Sequence, residues 1–141
     1  MDWQNALKKL SVALARLDNL IDNLGDEIHE GRLLSSLKPT LEYLDLAAES
    51  GLWEVPSVRD PLRMVRSSVI RPYLDWSRMK LRNLAFRISY KLGEDACVKV
   101  PRPDNLKVGV EDEPLNEIFV IRRIGSIRGE LEMAWLAGTS E

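Results

Sequence analysis

The sequence predicts an α+β fold that is predominantly α: a bundle of four to five helices over about residues 1–92, then a small antiparallel β appendage over about 96–136. Three observations predict it. Apolar residues recur at helical spacing through the first two-thirds of the chain. Proline and glycine punctuate that region at intervals suited to helices. After Gly93 the pattern switches to alternation between apolar and polar residues.

The first helix is the most strongly marked. Trp3, Leu10, Leu17 and Leu24 recur every seven residues, as do Ala6, Ala13 and Leu20, with Leu7, Leu14 and Ile21 in a third lane. Three adjacent lanes make a stripe wider than a coiled-coil seam, so this helix should face at least two others. Asp2 suits its N-cap and Gly25 its stop. A second helix is expected over about 26–36 and a third from Pro39 to Ser50, because proline inside a helix removes a hydrogen bond and clashes with the preceding turn. Gly51 should end the third, and a loop over 51–59 should tuck Trp53 against the bundle.

Asp60–Pro61 reads as an N-cap followed by proline at the first helical position. Helix is expected over 61–71 and 72–92, as one kinked element or two, closed by Gly93. Beyond it, Cys97–Val100 and Leu106–Val110 alternate around a Pro-Arg-Pro-Asp-Asn connection, which predicts a β-hairpin. Residues 117–136 fit two readings, strands at 117–123 and 127–135 or a terminal helix. The expected division is a helical domain over 1–93 and a β-rich segment over 94–141.

In gross layout, a helical bundle followed by a small β appendage resembles subunits of the GINS replication complex and small subunits of CRISPR effector complexes. The resemblance covers domain order alone; the layout itself, with a basic arginine-rich helix, suits a scaffold that bridges partners and contacts phosphates.

Composition excludes several classes of function. The chain has 141 residues, 45% hydrophobic and 30% charged, with one Cys and one His. That is a globular composition for about one domain, with no disulfide framework or Cys/His zinc cluster. No apolar run approaches the ~20 residues of a membrane span, and residues 1–24 lack the basic start and continuous apolar stretch of a signal peptide. A cytoplasmic protein without membrane partners is expected.

Chemistry-bearing motifs are scarce. His29 lies among Asp26, Glu27 and Glu30 and reads as a surface or helix-terminus residue, and Cys97 as a small buried hydrophobe, so neither supports a nucleophilic triad. Gly125-Ser126-Ile127-Arg128-Gly129 lacks the lysine of a phosphate-binding loop and reads as a turn between strands. A nuclease core built on Asp104 would need a later lysine, and none follows Lys107. Asp95, Asp104, Glu111 and Asp112 remain as the only candidates for a carboxylate-only metal enzyme. No cofactor, metal ligand or catalytic residue is expected.

Charge distribution is the informative feature. The net charge of −2 averages 5 basic against 10 acidic residues over 1–56, 9 against 2 over 57–93, 3 against 7 over 94–118 and 3 against 3 thereafter. The basic stretch holds Arg63, Arg66, Arg71, Arg78, Lys80, Arg82 and Arg87, flanked by Arg59 and Lys91, with Tyr73 and Trp76 interleaved. Guanidinium groups at this spacing can track phosphates and the aromatics can stack bases. The same arginines can equally pair with the acidic helices.

The expectation is a non-catalytic interaction subunit of a larger assembly that handles nucleic acid, its arginine-rich helix (59–91) contacting phosphates or an acidic partner. Protein partners, as homo- or hetero-oligomer, follow from helices that are apolar on two sides. The alternative is a DNA-binding transcriptional regulator in which 39–50 and 61–71 form a helix-turn-helix-like pair.

Overall fold

Helix α1 (Trp3–Asp22) leads into a short strand β1 (Glu27–His29), which runs without a break into α2 (Glu30–Ala48). The same unit repeats as β2 (Met64–Arg66) and α3 (Ser67–Leu92), and α4 (Glu117–Thr139) completes the chain. This computed structural model describes residues 1–50 and 54–140. The expected stop at Gly51 and the docking of Trp53 lie outside the described residues.

The predominantly helical character holds, with four helices and one small two-stranded antiparallel sheet that lies among the helices rather than after them. Several elements differ from expectation. Pro39 does not divide α2, and Pro72 does not divide α3. In α2 the buried residues Leu33, Leu37, Leu41 and Leu44 straddle the proline on one face. Burying each leucine is worth about 1.5–3 kcal/mol, which outweighs the roughly 3 kcal/mol of an interior proline.

Asp60–Pro61 starts a turn rather than a helix, and 64–66 is a strand. The ladder pairs Glu27 with Arg66, Ile28 with Val65 and His29 with Met64. Its hydrogen bonds continue past the strands, from Glu30 N to Arg63 O (2.8 Å), from Gly31 N to Pro61 O (3.0 Å) and from Ser67 N to Asp26 O (2.9 Å). Those donors are first-turn amides of α2 and α3, so the ladder replaces the side-chain caps that both helices lack. Gly31 permits the approach, since a Cβ there would lie 3.1 Å from Pro61 Cβ.

The β appendage is not present. Residues 97–100 are irregular, and their polar groups bond to side chains of α1 and α3 instead of an opposing strand. Cys97 N donates to Gln4 Oε1 (2.9 Å), Val100 N donates to Ser89 Oγ (3.3 Å), and Ser89 Oγ donates to Val98 O (3.0 Å). Residues 104–109 make two turns and Val110–Asp112 a single 3-10 turn, with Val108 97% exposed. Cys97 is exposed rather than buried.

Residues 117–139 are helix, N-capped by Asn116, whose side chain accepts from Phe119 N at 2.8 Å. Val120, Ile124, Ile127, Leu131, Ala134 and Gly138 are its buried seam. Gly125 and Gly129 therefore sit within a helix and make no turn. With α4 in place of the strands, the domain order behind the resemblance to replication-complex and CRISPR-complex subunits is lost.

Each helix packs on two others, in the ring α1–α2–α4–α3. Asp18 near the end of α1 pairs with Arg78 and Arg82 of α3, while Lys91 at the end of α3 lies over Trp3 at the start of α1. Gly138 at the end of α4 faces Val65 of β2 and Ile70 at the start of α3. Hence α1 and α4 point towards the sheet, and α2 and α3 point away from it. Leucine dominates the shared core, which also encloses Arg128, 0% exposed and ion-paired with Asp45 (3.3 Å) and Glu132 (3.4 Å).

Candidate anion-binding cleft

The basic residues of 59–91 separate into two sets when α3 is placed in the bundle. Arg71, Arg78 and Arg82 point to the end of α1. Arg78 lies 3.5 Å from Asp22, 3.6 Å from Asp75 and 3.9 Å from Asp18, and Arg82 donates to Asp18 at 3.0 Å. Arg71 donates to the carbonyl of Leu24 (3.3 Å) and Arg63 to that of Thr139 (2.5 Å), each at the C-terminal end of a helix, where carbonyls lack intrahelical partners. Arg66 stands opposite Glu27 in the ladder. These five residues are engaged in holding the fold.

Tyr73 and Trp76 are half-buried against the core, so neither presents a whole ring to solvent. Lys80 Nζ lies 5.7 Å from the Trp76 ring. Arg59 is exposed, and Lys91 covers Trp3.

Lys80 and Arg87 make up the second set. They project from α3 into a cleft of about 330 Å³, bounded on one side by the 105–113 connection and on the other by the start of α4. The connection contributes Lys107 and α4 contributes Arg123, so four cations surround the space with Glu113 as the one carboxylate in its lining. The Phe119 ring lies between two guanidinium groups, 5.0 Å from Arg87 and 5.3 Å from Arg123. Their attraction to the π face partly offsets the repulsion between like charges.

Two polar atoms of the lining residues are buried with no hydrogen-bond partner among the described residues: Arg87 Nε, a donor, and Asn83 Oδ1, an acceptor. Leaving such a group unpaired costs about 1–3 kcal/mol, more where it is charged. Both atoms are sealed from solvent in this structure.

The acids beside the cleft are already engaged. Glu111 accepts from Arg102, and its own backbone hydrogen bond, with Arg102 second, holds its carboxyl below the ordinary value. Asp112 accepts from the Tyr90 hydroxyl at 3.3 Å, and its charge raises the tyrosine pKa. The candidate metal carboxylates do not converge, since among the described residues no group of three or more His, Cys, Asp or Glu side chains is placed to hold an ion. His29 is exposed at the N-cap of α2, its Nδ1 3.0 Å from Leu62 O.

Of the nine residues that the sequence singles out, the structure brings Lys80 and Arg87 together at the cleft. It adds Asn83, Lys107, Phe119 and Arg123. Phe119 and Arg123 are an i, i+4 pair, which the helical reading of 117–136 places on one face.

A second surface feature lies on α4. Ile118 (64% exposed), Ile121, Met133 and Leu136 (54% exposed) project to solvent in one stripe, with Gly125 and Gly129 between them. No helix of the described residues is long and apolar enough to cross a membrane.

Compared with protein-family models, curated proteins and solved structures, the chain matches none.

Proposed function

We propose that this chain is a non-catalytic interaction subunit of a larger assembly that handles nucleic acid, and that it contacts phosphates through the cleft between α3 and α4. The observation that carries this reading is the convergence of Lys80, Arg87, Lys107 and Arg123 on one concavity with a single acid, Glu113. Lysine and arginine that neutralise phosphates release counterions, so a compact cationic site gives salt-dependent, sequence-indifferent binding. The exposed apolar stripe of α4 supports the protein-binding half of the proposal, because apolar side chains in one line on a helix form a seam for another surface. The regulator alternative needs a recognition helix over 61–71, and a turn and strand β2 occupy 61–66.

Fluorescence anisotropy against single-stranded DNA, duplex DNA and RNA over a salt series tests the reading. Micromolar binding that weakens steeply with salt is expected, with a log–log slope reduced by about one unit for each of Lys80→Ala and Lys107→Ala. No binding at low salt, or binding indifferent to both substitutions, would refute it.

A further inference from the structure

We propose that the exposed face of α4 is the contact between two copies of this chain, packed antiparallel about a twofold axis at the level of Ile127. The inference rests on the protein-binding half of the proposed function and is independent of the phosphate-contact half.

Position on the helix is the first argument. Each residue turns an α-helix by about 100°, which puts Ile118, Ile121, Met133 and Leu136 on the side of α4 opposite its buried seam of Val120, Ile124, Ile127 and Leu131. From Ile118 to Leu136 the line is about 27 Å long. Four of the nine large hydrophobic side chains exposed among the described residues lie on it, which makes it a patch rather than the scatter that any surface carries.

Symmetry is the second. The stripe reads the same from either end: Ile118 and Leu136 stand nine residues to either side of Ile127, Ile121 and Met133 six, and Gly125 and Gly129 two. A face for an unrelated protein has no need of that pattern. A twofold axis requires it, because residue i then meets residue j while j meets i. In this register Ile118 of one copy faces Leu136 of the other, and Ile121 faces Met133, at both ends of the contact. At its centre Gly125 faces Gly129, where no side chain holds the two backbones apart.

Charge decides the direction. The first half of α4 carries Arg122 and Arg123, the second half Glu130 and Glu132. Arg122 is exposed, and neither it nor Glu130 is ion-paired among the described residues. Antiparallel packing sets Arg122 opposite position 132 of the second copy, with Glu130 about 3 Å along the axis. A parallel pair would set Arg122 against Arg122 and Glu130 against Glu130. Phe119 and Arg123 lie about 100° or more round the helix from Ile118 and Leu136, so the cleft opens to a different side.

Sedimentation equilibrium of the full chain over about 5 µM to 1 mM tests the proposal. One helix face is small for a specific interface, so a reversible monomer–dimer equilibrium with a Kd on the order of 50 µM is expected, and dilute protein is monomeric. Met133→Glu, at an exposed position that spares the core, should weaken the dimer about tenfold with helical circular dichroism unchanged. Arg122→Glu and Glu130→Arg should each weaken it about fivefold by setting like charges opposite each other. Mixed in equal amounts, these two variants should associate about as tightly as the parent, because each supplies the charge that the other lacks.

A chain that is monomeric at every concentration would overturn the inference and leave the stripe to a different protein. A dimer indifferent to Met133→Glu would overturn it by placing the contact elsewhere. Charge variants that associate no better mixed than alone would refute the antiparallel register. Polyanion binding is read separately by anisotropy, so its loss or survival bears on the phosphate contact alone.

Discussion

Replacing Gly138 by alanine tests how closely α4 is fitted to the sheet. A Cβ at this position would lie 2.8 Å from Val65 Cγ1 and 3.0 Å from Ile70 Cγ2, both on fully buried side chains. Neither can step aside easily. Both are β-branched and stiff at χ1, and Val65 is held on β2 by the ladder with β1. Overpacking of this kind costs about 1–3 kcal/mol. Alanine recovers up to about 1 kcal/mol of helix propensity, less in a last turn. The net expectation is a loss of about 1–2 kcal/mol, or a Tm lower by roughly 4–8 °C for a chain of this size. Gly129→Ala is the control, because nothing lies within 4 Å of the added methyl on the same helix. It should raise Tm by about 2–4 °C. Thermal melts followed by circular dichroism, with urea midpoints as a second measure, read both variants. A Gly138→Ala protein at least as stable as the parent would refute the packing argument, as would two variants that shift in the same direction.

Arg78→Ala combined with Arg82→Ala should leave polyanion affinity within about twofold and lower stability by roughly 0.5–2 kcal/mol, since both arginines are spent on acids of α1 and α3. Anisotropy and urea unfolding on the same preparation check the two halves, and a large affinity loss would return the binding surface to that face. Arg128→Ala should cost about 3–5 kcal/mol by stranding Asp45, whereas Arg128→Met should cost much less, again by urea unfolding. Burial raises the Asp45 carboxyl above its ordinary value of 3.8, despite the opposing attraction of Arg128. Its folded pKa thus exceeds its unfolded one, so it contributes stability below the unfolded pKa that is lost as pH rises through the folded pKa. In urea midpoints taken over about pH 3 to 6, Asp45→Asn should remove that decline, and an unchanged slope would disprove the assignment.

What the sequence made legible followed from the length of each signal. The lanes of α1 run for six turns, and seven of their residues are buried. The strands β1 and β2 each turn one side chain inward, Ile28 and Val65, so a period of two never has room to repeat. In α4 the alternation Leu131, Met133, Trp135 suggested a strand because Ala134, a small residue with a weak hydrophobic signal, faces the core beside Leu131 and Trp135 while Met133 faces solvent. Half of the cleft was hidden for the same reason. Lys80 and Arg87 could be picked out on α3, but Lys107 and Arg123 belong to segments whose conformation depends on tertiary contacts, such as the Ser89 hydroxyl standing in for a partner strand beside Val98 and Val100. Nor could spacing alone show which arginines face the acids of α1, because that depends on how α1 and α3 are set against each other.

The repeated strand-then-helix unit has a consequence for how the chain reaches this structure. Because α2 and α3 leave the sheet in the same direction, the segment joining them must return along the whole of α2, whose 19 residues span about 28 Å. The consecutive pairs α1–α2 and α3–α4 can each assemble as an antiparallel hairpin, but α2 and α3 cannot. The amides of Glu30, Gly31 and Ser67 find their acceptors only after that loop has closed, and closure is an entropic cost met before those contacts form. Refolding should accordingly be slower than in an up-and-down bundle of equal length. In hydrogen exchange these three amides should open only when the whole molecule unfolds, which makes two short strands the last part of the protein to let go.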